Sequence, residues 1–173
     1  MAKNFGGSLD RTAVALMFGA LTLLTLFLAS LVPDQLKLLV VFLAGVFNGA
    51  VMAEEELQKS ILLFIVCAVV GMLITSGFEI MSMYIFFCGW YAIAKFALDD
   101  MDDFLTSWCV KFMLYNGALA LCCYLTPSPM FQPIIDFFPL YLLIPLAQVV
   151  LLAYDGLIWF FAMLYRASIR RYL

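Results

Sequence analysis

Two ionisable residues stand inside apolar stretches of this 173-residue chain, where a bare charge is costly. Lys111 comes seven residues after Phe104, so at ~1.5 Å per residue it lies ~10 Å inside a helix beginning there. Asp155, counted back from Leu164, lies ~14 Å above the same boundary. The depths match closely enough for an interhelical ion pair, which would spare each charge part of its desolvation cost. The alternative for Lys111 is to run its methylenes through lipid and hold the ammonium at the headgroups. Asn48 and Asn116 are also intramembrane, where interhelical hydrogen bonds are expected of them.

Other polar residues gather at the ends of the apolar runs. Asp99-Asp100-Met101-Asp102-Asp103 matches the DDxxD pattern that can hold magnesium against a diphosphate. Its ordinary reading is a solvated hairpin, as it is for Glu54–Glu56, and together these make an acidic face suited to a basic partner. At the opposite side Asp34, Glu79 and Asp136, with Tyr84 and Trp90, are candidates for binding a small solute. The same aromatic residues also fit as interfacial anchors. Cys67, Cys88, Cys109, Cys122 and Cys123 all fall in apolar runs, and there is no histidine. This predicts neither a disulfide framework nor a metal site. No nucleophile–base set is present, so no catalytic residue and no cofactor is expected.

The composition dictates what must position these residues. Hydrophobic residues make up 66% of the chain and charged residues 12%, well away from a soluble domain. The net charge of −3 and the absence of a basic patch exclude nucleic acid as a partner. The apolar excess divides into runs long enough to cross ~30 Å of hydrocarbon. The reading is a single all-α domain, 1–173, a polytopic membrane protein of six transmembrane helices. The spans are expected at 12–32, 36–53, 60–75, 80–98, 104–125 and 140–164. Segment 126–139, carrying Pro127, Pro129, Pro133 and Pro139, reads as extracellular or re-entrant, because proline frees carbonyls that lipid cannot satisfy. The last span is expected to kink at Pro145 and to be interrupted at Tyr154-Asp155-Gly156.

Lysine and arginine set the orientation. With both termini cytoplasmic, Lys3, Arg11, Lys59, Lys95, Arg166, Arg170 and Arg171 fall at the inner side and only Lys37 at the outer. The expected location is the cell membrane, with multiple passes and the lipid bilayer as surroundings. Small residues recur at helix-packing spacing: Ala15 with Gly19, and Gly45, Gly49 and Ala53. They let helices approach closely, within the chain or against another membrane subunit.

The stretch GWYAIAK…TSWCVKFMLYN resembles a set of uncharacterised bacterial membrane proteins, mainly from Gram-positive anaerobes. On that resemblance Trp90, Tyr91, Lys95, Trp108, Lys111 and Asn116 are signature positions. Six short spans, both ends inside and a small-residue face on the first span are also similar to the substrate-binding S component of energy-coupling-factor (ECF) transporters. That resemblance implies a vitamin or metal captured from outside, and association with an ECF-type transmembrane coupling subunit and ATPase subunits. Ala15 and Gly19 then stand where the family's AxxxA docking motif lies, with glycine replacing one alanine. The alternative is a non-transporting assembly or scaffold subunit, in the role of cell-shape proteins of the MreD kind, although their acidic-glycine motif is not seen in the middle spans. Third is a magnesium-dependent, membrane prenyltransferase-like enzyme, which normally carries a second acidic motif that this chain lacks.

Overall fold

A computed structural model describes residues 3–54, 56–125 and 139–169. Helix α1 is Lys3–Ala29, α2 Asp34–Met52 and α3 Leu57–Ile74. Helix α4 is the continuous Phe78–Asp99, α5 is Phe104–Leu125 and α6 is Leu140–Leu164. Among the described residues there is no strand. Five of these helices are long and apolar enough to span a bilayer by length and composition. The sixth, α5, has 22 residues, and Lys111, Asn116 and Gly117 dilute its apolar run. Large apolar side chains such as Leu16, Leu73 and Met113 face outward, as they do in a protein that meets hydrocarbon. The fold is that of an all-α, multi-pass membrane protein. The proline-rich 126–138 and Asp136 lie outside the described residues, as do Arg170 and Arg171.

Helix α2 is the hub, packing on α1, α3, α4 and α6. Its small residues make this possible. A methyl group on Gly45 would collide with the Tyr154 hydroxyl and the Cys88 carbonyl, and one on Gly49 would sit 2.9 Å from Ile158. The glycine face of α2 is thus filled by α4 and α6 of the same chain. Ala15 and Gly19 of α1 are likewise buried: a Cβ on Gly19 would come 2.7 Å from Leu63 of α3.

Two local features depart from the sequence reading. Helix α6 runs unbroken through Tyr154, Asp155 and Gly156, so the expected interruption is absent; Tyr154 and Asp155 make helix-to-helix contacts instead. Helix α4 contains a π-helical turn over Tyr84–Cys88, closed by the Gly89 N–H donating to the Tyr84 carbonyl. Such a turn holds one residue more than an α turn and disturbs the local carbonyl ladder. The Tyr154 hydroxyl donates to the Cys88 carbonyl at 3.3 Å, and the Asn48 amide to the Gly89 carbonyl at 2.8 Å. Asn48 in turn accepts from the Ser60 hydroxyl, so α2, α3, α4 and α6 are tied around the turn.

Candidate functional site

Along α4, Tyr91, Lys95 and Asp99 recur every four residues and therefore share one face. That face meets Lys111 of α5 and Asp155 of α6. Lys95 Nζ lies 2.7 Å from Asp155 and 2.8 Å from Asp99. Lys111 Nζ bonds Asp99 and lies 3.4 Å from Asp155. The four charges alternate in a closed ring, each ammonium between two carboxylates and each carboxylate between two ammonium groups. The ring sums to zero, which lowers the penalty of holding it away from water. Tyr91 donates a further hydrogen bond to Asp155 at 3.1 Å, and Lys111 sits 4.8 Å from the centre of the Trp108 ring. Lys95 and Lys111 are 3% and 1% exposed, whereas the Asp99 side chain is 41% exposed. The ring is therefore reached from the Asp99 side, next to the acidic loop.

The depth arithmetic brought Lys111 and Asp155 together, and the structure adds Lys95, Asp99 and Tyr91. Sequence reasoning put Lys95 at a membrane boundary and Asp99 in a hairpin. The i, i+4, i+8 run Tyr91-Lys95-Asp99 was the signal that could have placed both on the helix face.

Above the ring lies a layer of aromatic side chains. Phe87 packs 5.0 Å from Tyr91, 5.0 Å from Tyr115 and 5.5 Å from Tyr154, measured between ring centroids. Phe42 closes the layer at 4.9 Å from Tyr154. Beyond it is a cleft of about 360 Å³ between α2, α4, α5 and α6. Phe42 and Tyr115 belong to both the layer and the cleft wall. The rest of the wall is mainly apolar, including Leu38, Met83, Leu119, Leu143 and Ala147, together with the amides of Asn116 and Gln148. Gln148 Nε2 donates to Asn116 Oδ1 at 2.8 Å, and Asn116 Nδ2 donates to the Phe112 carbonyl at 2.7 Å.

Of the residues expected to bind a solute, Asp34, Glu79, Tyr84 and Trp90 do not line this cleft. Asp34 pairs with Lys37 at 2.6 Å at the start of α2, and Glu79 is in the first turn of α4. Tyr84 is fully buried against Phe64 and beside Cys67. Trp90 is half-buried and donates to the Phe86 carbonyl of its own helix at 2.8 Å. In the acidic loop, Asp103 caps α5 by accepting from the Thr106 hydroxyl and, at 3.2 Å, from the Leu105 N–H. These bonds hold its carboxyl below the ordinary carboxylate range. Among the described residues no three of His, Cys, Asp or Glu converge as metal ligands would. No family model matches the chain, no curated protein is recognisably similar to it, and no solved structure matches it.

Proposed function

We propose that this protein is a small-solute-binding membrane subunit, acting in uptake in the manner of the S component of an ECF-type transporter. The observation that carries the reading is the stacking of three layers that share α4, α5 and α6: an apolar cleft, an aromatic floor and a charge ring. A cleft of this size lies near the lower end of small-molecule pockets, which run to roughly 300–1,000 Å³. Its aromatic floor favours a binding site over an open pore. Passage of a bound solute then requires an outside source of work, which a coupling subunit and ATPases would supply. In this reading the protein lies in the cell membrane with both termini cytoplasmic. The binding residues are those of the cleft wall, in place of Asp34, Glu79, Tyr84 and Trp90.

The test is co-expression with an ECF-type coupling subunit and its ATPases. The expected result is a co-purifying complex, together with a small solute that raises the thermal stability of the isolated protein. If no complex forms and no solute stabilises the protein, the reading is lost. The assembly role then takes its place, favoured by the outward faces of α3 and α6, on which Leu62, Leu73, Val149 and Trp159 are exposed. A prenyltransferase-like activity draws less support, because Asp99 and Asp103 of the DDxxD pattern already hold lysines and a helix start.

A further inference from the structure

The seam between α5 and α6 forms one side of the cleft, and those two helices make few close approaches. Among the described residues, the polar bonds across the seam are Lys111 to Asp155 and the amide pair Asn116–Gln148. Met113 and Tyr124 of α5, and Tyr141 and Ile144 of α6, are strongly exposed on these two helices, where the bilayer would lie. Asn116 follows Phe104 by twelve residues, about 18 Å along the helix, and so stands near mid-membrane. Asn116 is nonetheless exposed and Gln148 half-buried, and the bond between them lies on the exposed side. An amide facing hydrocarbon costs free energy unless its hydrogen bonds are filled. Among the described residues this pair fills only part of its capacity. Gln148 Nε2 makes one bond of two, and Gln148 Oε1 has only a long contact of 3.5 Å to Asn116 Nδ2.

From these observations we infer that the cleft takes a neutral, bilayer-soluble molecule whose single hydrogen-bonding group, an alcohol, ketone or amide, engages Asn116 and Gln148. This rests on the solute-binding reading of the cleft and names its substrate class. Among the described residues no charged side chain lines the cleft. Lys111, the nearest cation along α5, is one turn below Tyr115 and already lies between two carboxylates. A charged solute would find no counter-ion, whereas a hydroxyl or carbonyl would find both a donor and an acceptor. The exposed flanks of α5 and α6 give a molecule dissolved in the bilayer direct access to the seam.

The test uses protein reconstituted in phosphatidylcholine vesicles and three photoreactive probes: a diazirine-bearing dodecanol and its carboxylate and trimethylammonium counterparts. Mass spectrometry maps the labelled peptides, with excess unlabelled dodecanol as competitor. The expected result is competable labelling by the alcohol alone, on the α5 and α6 segments of the cleft. The Asn116→Leu/Gln148→Leu variant should lower its apparent affinity about tenfold, as losing one or two hydrogen bonds does. These polar-to-apolar changes suit a lipid-facing seam, and an unchanged thermal transition would verify the variant's fold. Competable labelling of the cleft by a charged probe, or by the alcohol without sensitivity to the two leucines, overturns the inference and leaves solute binding standing. No competable labelling of the cleft by any probe also overturns the inference, and whether solute binding itself stands is then decided by the co-purification and thermal-stability test.

Discussion

Asp155 accepts hydrogen bonds from Tyr91 and Lys95, pairs with Lys111 at 3.4 Å, and is 7% exposed. Changing it to asparagine would leave two buried ammonium groups with Asp99 as their one carboxylate. The expected loss is about 3–5 kcal/mol, read from unfolding in bicelles, because the penalty falls on the charge left behind. Adding Lys111→Met to Asp155→Asn restores neutrality, so the double variant should lose less than the sum of the singles. If both singles were harmless, the ring would have no structural role. Asp103 makes a separate, pH-dependent contribution. Its carboxyl titrates lower in the folded protein than in the unfolded chain, so its stabilisation is present above the unfolded value. That contribution fades as pH falls through the lowered folded value. Asp103→Ala should therefore lower the thermal transition at neutral pH, and the difference from the parent should close on strong acidification. Helical depth made Lys111 and Asp155 legible as neighbours. Lys95 was hidden because basic residues near span ends are usually spent on the inner interface.

At the scale of elements, the glycines separate packing from propensity. Gly45 has no room for a methyl group, whereas Gly117 and Gly156 have nothing within 4 Å of one. Gly45→Ala should destabilise by about 1–3 kcal/mol or more, since the obstacles include backbone. Gly117→Ala and Gly156→Ala should be neutral or should stabilise by up to about 1 kcal/mol through helix propensity. Equal outcomes in the same unfolding assay would count against the close contact of α2 with α4 and α6. Apolar run length and proline placement made most helices legible to within a few residues. The π turn was not, because YIFFC has no residue that marks it. Its stabilising partners, Asn48 and Tyr154, are remote in sequence. Helix α6 continues through Tyr154–Gly156 for a related reason: Asp155 is satisfied by other helices, so its charge does not break its own.

For the whole molecule, the sequence conveyed membrane character but not which helices touch. Helix α2 as hub depends on how glycine faces are shared out, and the same small-residue spacing fits packing within a chain or between chains. The arrangement also ties two distant ends, since the Arg166 guanidinium donates to the Ala53 carbonyl at 3.1 Å, just past the end of α2. If all six helices cross, both termini share a side. Fusions of a fluorescent protein and of alkaline phosphatase to each end should give fluorescence and no phosphatase activity at either. Phosphatase activity at one end alone would mean an odd number of crossings, with α5 the first suspect because Lys111 and Asn116 interrupt its apolar run.

The π turn of α4 absorbs one residue without changing the phase of the helix around it. Five residues in the wide turn sweep about the angle that four sweep in an α turn, so removing one, such as Ile85, would let the turn relax to α geometry with Lys95 and Tyr91 still close to facing Asp155. The carbonyls of Cys88 and Gly89 would return to the helix ladder, and Tyr154 and Asn48 would lose their acceptors. An extra residue placed between Gly89 and Lys95, where the helix is regular and has no second wide turn to absorb it, would instead carry Lys95 about 100° away from Asp155.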